Sequence, residues 1–79
     1  MAVKVFLSST LRQHIPGYVP SDGAEITLDR KITVSELCTL MGIPLDMIKV
    51  IMVNGRDASL DDELRGDERV GLFPPLGGG

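Results

Sequence analysis

Only one stretch of this sequence reads as an amphipathic helix, and it is closed at both ends. Thr33 is a good N-cap, and Glu36 three residues later completes a capping-box pattern. Val34, Leu37, Cys38 and Met41 follow at i, i+3, i+4 and i+7 and form one apolar stripe. Gly42 supplies the stop and Pro44 prevents continuation. A helix with a single apolar stripe must bury it against another element, and the rest of the chain offers strands. Ala2 to Leu7 alternates with period two, placing Val3, Val5 and Leu7 on one face and Ala2, Lys4 and Phe6 on the other. Glu25 to Asp29 alternates again after the turn pair Asp22-Gly23. The β-branched run Lys49 to Val53 ends at Asn54-Gly55, a hairpin turn pair. Arg69 to Phe73 forms a last strand, stopped by Pro74-Pro75.

The order is strand, strand, helix, strand, a short edge element and strand, which predicts an α+β layer with the helix on one face of the sheet. The first and last strands are both apolar and are expected side by side at its centre. Between them, residues 8–23 carry Pro16-Gly17, Pro20 and Asp22-Gly23 and read as loop, with a short helical turn around Leu11-Arg12. A chain of 79 residues leaves room for one such domain and none for a deep catalytic cleft, since so small a domain buries only about 60–65% of its unfolded surface.

The formal charge is −3 and the basic residues are scattered along the chain, which disfavours nucleic acid as a partner. Cys38 is the single cysteine, so neither an intramolecular disulfide nor a thiolate metal cluster can form. The N-terminus alternates instead of running continuously apolar like a signal peptide, and no stretch has membrane-spanning length. A cytoplasmic protein is expected.

Certain residues fall into a known pattern. They are Thr10-Leu11-Arg12 after the first strand, Val53-Asn54-Gly55 at the hairpin, and Leu64 followed by Gly66-Asp67-Glu68-Arg69-Val70. The ending Leu72-Phe73-Pro74-Pro75-Leu76-Gly77-Gly78-Gly79 is the strongest. With this order of elements, the chain resembles the MoaD/ThiS family of sulfur carriers, most closely its molybdopterin-synthase small-subunit branch. Two departures stand out: Ser8 takes a place where relatives often carry a second aromatic, and three glycines end the chain instead of two.

The resemblance implies a ubiquitin-like β-grasp fold, a mixed sheet of four to five strands with one main helix packed on one face. It implies a domain over residues 1–76 and a flexible glycine tail over 77–79. In such carriers an E1-like partner enzyme uses ATP to adenylate the terminal carboxylate, and a sulfur donor displaces AMP to leave a thiocarboxylate. Gly79 would be the reacting residue, with Gly78 beside it; this chain would bind no cofactor or metal itself. The residue types suit that task. Glycine presents no side chain to a narrow channel, and Pro74 and Pro75 stiffen the exit from the last strand and remove two backbone donors. Phe73, Pro74, Pro75, Leu76 and Gly77 would meet the partner.

Strand parity adds a second expectation. If Val3, Val5, Leu7, Val70 and Leu72 face the helix, Phe6 and Phe73 face away. Counting from the hairpin turns Ile51 and Val53 inward and Val50 and Met52 outward. Phe6, Phe73, Val50 and Met52 would then form an apolar docking patch near the tail, unless residues 8–23 fold over it.

Other residues read as structural. Cys38 lies in the helix stripe and is expected as a buried thiol. His14 is a lone loop histidine, too few ligands for a metal. Asp61-Asp62-Glu63 with Asp67-Glu68 lacks calcium-loop spacing and reads as a solvated acidic face. No nucleophile–base pair is visible, so the chain is expected to be a carrier and not an enzyme. Its further partner would be the large subunit of molybdopterin synthase or another sulfur-accepting enzyme. The alternatives are thiamine thiazole, cysteine or tungsten-cofactor synthesis, a ubiquitin-like modifier, and a plain interaction module.

Overall fold

The first and last strands meet because their alternation matches. Strand β1 (Ala2–Leu7) and strand β7 (Arg69–Phe73) pair in parallel with Val5 opposite Val70 and Leu7 opposite Leu72. One face of this pair is therefore wholly apolar, and Val3, Val5, Val70 and Leu72 are completely buried. Burying each such side chain contributes on the order of 1.5–3 kcal/mol. This computed structural model describes residues 2–75, so Leu76, Gly77, Gly78 and Gly79 lie outside the described residues.

β2 (Ala24–Thr27) pairs antiparallel with β1. β4 (Val50–Val53) pairs antiparallel with β7 on its other side, and β5 (Arg56–Ala58) closes the hairpin after β4. The result is a five-stranded mixed sheet in the order β2-β1-β7-β4-β5, with β7 in the middle. Asn54 and Gly55 have φ of 53° and 81°, the two positive values of the tight hairpin turn whose twist matches its strands.

Helix α1 (Val34–Met41) begins as its sequence foretells. The Thr33 hydroxyl accepts from the Glu36 N–H at 3.1 Å, and the Glu36 carboxylate accepts from the Thr33 N–H at 2.9 Å. Val34, Leu37, Cys38 and Met41 are all buried against the sheet, beside Leu11, Ile32, Ile43, Ile51 and Leu64. The architecture is the expected α+β β-grasp, with one addition. Two-residue strands β3 (Ile32–Thr33) and β6 (Glu63–Leu64) form a second small sheet, which ties the entry of α1 to the segment before β7.

The turn that launches β7 corrects the reading of the acidic residues. Asp61, Asp62, Glu63 and Asp67 are exposed, but Glu68 is buried. Its carboxylate accepts from the backbone N–H groups of Arg65 (2.9 Å), Gly66 (2.9 Å) and Asp67 (3.1 Å). Burial pushes this carboxyl up, but the donors of Gly66, Arg65 and Asp67 together outweigh it and hold the group below the usual carboxylate range. Glu68 is an internal clamp, because the chain wraps three amide groups around it.

Candidate docking face and tail exit

The outer face of the sheet carries the side chains that parity turned away from the helix. Phe6, Gly71 and Met52 form one row across β1, β7 and β4, and Phe73 pairs with Val50 in the next. Val50 and Phe73 are 41% and 40% exposed, large values for apolar groups on a central strand pair. Inward, Ile51 is buried and Val53 is half-buried, so the predicted parity of β4 is that of the structure.

Gly71 decides how Phe73 lies. A Cβ on Gly71 would stand 3.3 Å from Phe73 Cε1 and 3.8 Å from the Met52 Cβ. The Phe73 ring therefore lies back over the glycine in the space a side chain would take. Val50, Met52, Phe73, Pro74 and Pro75, with Ser8 and Lys49 at the rim, line an open groove of about 870 Å³. A second hollow of about 470 Å³ includes Phe6, Met52 and Arg69.

Phe6 is half-buried, because residues 8–23 come back beside it. Gly23 has φ of +72°, and a Cβ there would be 3.0 Å from both Phe6 Cε2 and the Val5 carbonyl oxygen. Only glycine meets both demands. The Arg69 guanidinium lies over the Phe6 ring, its carbon 5.1 Å from the centroid. The returning segment thus borders the patch and leaves the Val50–Phe73 part open.

The same segment is pinned to the end of β1. The Tyr18 hydroxyl accepts from the Leu7 N–H at 2.7 Å, and Arg12 Nε donates to the Leu7 carbonyl at 3.0 Å. Ser8 N–H donates to the Leu72 carbonyl at 3.2 Å, and Lys49 N–H to the Phe73 carbonyl at 2.8 Å. Beyond Phe73 the sheet can take no further donor from this strand, since Pro74 and Pro75 have no N–H. β7 thus brings the chain to Pro75 at the groove.

Of the residues singled out in the sequence, Phe6, Val50, Met52, Phe73, Pro74 and Pro75 are brought onto this face, while Leu76, Gly77, Gly78 and Gly79 lie outside the described residues. Ser8, Arg12, Tyr18, Lys49 and Gly71 were not anticipated there. Only Gly71 had a signal, an isolated glycine inside a strand, which marks a close approach. Cys38 is fully buried as expected, and burial pushes its thiol up to about 11. His14 is half-buried at the end of the 3-10 turn Ser9–His14. Among the described residues no group of three potential ligands could hold a metal ion, and no helix is long and apolar enough to cross a membrane.

Comparison with known proteins agrees with this geometry. The crystal structure of SAMP1 from Haloferax volcanii superposes with a TM-score of 0.70 at 19% identity, over 100% of both chains. A Pyrococcus furiosus protein, described as molybdopterin converting factor, subunit 1, gives a TM-score of 0.71 at 29% identity, over 96% of this chain and 99% of its own. No curated protein matches. The model of the ThiS family, whose members are small carrier proteins and not catalysts, matches residues 13–79, everything after the first strand and the start of the following turn. With the fold, the exit strand and that match in hand, the chain belongs to the ThiS family of β-grasp sulfur carriers.

Proposed function

We propose that this chain carries sulfur as a thiocarboxylate on Gly79 and delivers it in molybdopterin synthesis, as the small subunit of molybdopterin synthase. In the first step the Gly79 carboxylate attacks the α-phosphorus of ATP on an E1-like partner, giving the acyl-adenylate and releasing pyrophosphate. Sulfide-level sulfur (HS−) from a donor then adds at the Gly79 carbonyl carbon and AMP leaves, giving the thiocarboxylate. On the acceptor enzyme the thiocarboxylate sulfur attacks the precursor and displaces a leaving group, and water then cleaves the acyl C–S bond, leaving the sulfur on the product and returning the Gly79 carboxylate. Phe73, Pro74, Pro75, Leu76 and Gly77 meet the partner, with Phe6, Val50 and Met52 as the docking patch, and Gly78 keeps the approach to Gly79 unobstructed.

The observation that carries this reading is the placement of β7. The middle strand of the sheet ends in Phe73-Pro74-Pro75 beside an exposed apolar groove, so a docked partner would receive the following residues directly. The sequence likeness to the Pyrococcus furiosus protein supports molybdopterin as the destination. Co-expression with an E1-like enzyme and a sulfur source, followed by intact-mass measurement, tests it. A shift of one oxygen replaced by one sulfur is expected, and it should vanish when Gly79 is deleted. Larger adducts on other proteins would instead indicate a ubiquitin-like modifier. Supplying the thiocarboxylate form to the large subunit of molybdopterin synthase, with its precursor, should yield molybdopterin.

A further inference from the structure

The outer face of the sheet has a charge pattern opposite to that of the chain as a whole. Acidic residues outnumber basic ones, 11 to 8. Yet the three hollows along this face each hold one charged side chain, and each is a cation: Arg69, Lys49 and Arg12. No carboxylate lines any of them. The carboxylates on this face, Glu25 opposite Lys4 and Asp57 opposite Met52, are on the outermost strands β2 and β5.

Among the described residues none of the three is in an ion pair; the pairs found there are Arg30–Glu36 and Lys31–Glu63, both about α1 and the small sheet. Arg69 is held over the Phe6 ring, its guanidinium carbon 5.1 Å from the centroid, and a guanidinium so placed keeps N–H donors for a carboxylate. Arg12 is oriented by its Nε bond to the Leu7 carbonyl, so its two terminal nitrogens are presented in a fixed place.

We infer that this face takes a protein surface whose apolar contact is ringed by carboxylates placed to meet Arg12, Lys49 and Arg69. The inference rests on the docking-patch reading above and specifies the chemistry of the partner. An acidic chain gains no net attraction at long range from an acidic partner. Its local cations instead turn the correct face towards it, because complementary charge sets orientation and encounter rate more than final affinity.

The test uses the purified E1-like adenylating enzyme of the same organism and measures association rates by stopped flow. Lys49→Glu and Arg69→Glu should each slow association about 3–10-fold at low ionic strength. The difference should shrink to under about twofold near 1 M salt, where the screening length is only about 3 Å. Lys31→Glu, on the helix side, should leave the rate within about twofold of the parent. Lys49→Glu carries the test alone if Arg69→Glu fails to fold. Two results would overturn the inference. If Val50→Asp abolishes binding but both reversals associate like the parent, the face docks and the charge ring is wrong. If Val50→Asp also binds normally, the docking patch itself is wrong and the ring falls with it.

Discussion

Replacing Glu68 should destabilise this domain more than any exposed acidic residue, and in a way that pH reveals. The carboxylate accepts from three backbone N–H groups, those of Arg65, Gly66 and Asp67, at 2.9–3.1 Å. Each such bond to a charged acceptor contributes about 1.5–3 kcal/mol on its own, but the three share one group and the contributions overlap. Glu68→Ala leaves the donors facing a space too small for full hydration, so a loss of about 2–4 kcal/mol is expected. Glu68→Gln keeps one carbonyl oxygen and loses the charge, so about 1–2 kcal/mol is expected. For a domain of this size each kcal/mol moves the Tm by about 4–8 °C. The folded carboxyl titrates lower than the unfolded one, so its stabilisation is complete above the ordinary glutamate value of about 4.3. It is lost as pH falls from there through the lowered folded value. Urea unfolding at pH 7 and at pH 3 should therefore show the parent approaching Glu68→Gln in acid. A cost below about 0.5 kcal/mol at pH 7, or a gap that stays constant into acid, would refute the clamp.

Three other outcomes follow from named contacts. Gly23→Ala should cost about 1–3 kcal/mol, read by thermal melting, because φ of +72° and the Phe6 ring both oppose a Cβ. The Cys38 thiol, fully buried and pushed up to about 11, should resist a disulfide reagent at pH 8 in the folded protein and react at once in denaturant. Phe73→Ala should change stability by less than about 1 kcal/mol, since the ring is 40% exposed, yet weaken binding to the adenylating enzyme by about 1–3 kcal/mol in titration calorimetry, as expected of a central aromatic anchor.

What the sequence disclosed, it disclosed through periodicity. The alternation of Val3, Val5 and Leu7 and the Asn54-Gly55 turn were enough to decide which side chains face the helix, because a hairpin turn fixes register and register fixes parity. The capping box at Thr33 and the stop at Gly42 bounded the helix for the same local reason. The rest depended on contacts between distant residues. Two-residue strands such as Ile32–Thr33 and Glu63–Leu64 are too short to show a period. Tyr18 reaches Leu7 across 11 positions, and nothing local marks its hydroxyl as a backbone partner. Glu68 looked like one more surface acid in an acidic run, since its burial follows from how the chain folds around it. The docking face was legible in its apolar residues and not in its cations, which are scattered along the chain and come to border one face only through the fold.

Intact mass of the chain from cells that also express an E1-like enzyme and a sulfur source speaks most directly to the central claim. The account predicts a species with sulfur in place of one oxygen, localised by fragmentation to Gly79 and abolished by Phe73→Asp at the exit strand. A terminal carboxylate unchanged under those conditions, although the enzyme binds the chain and consumes ATP, would contradict it.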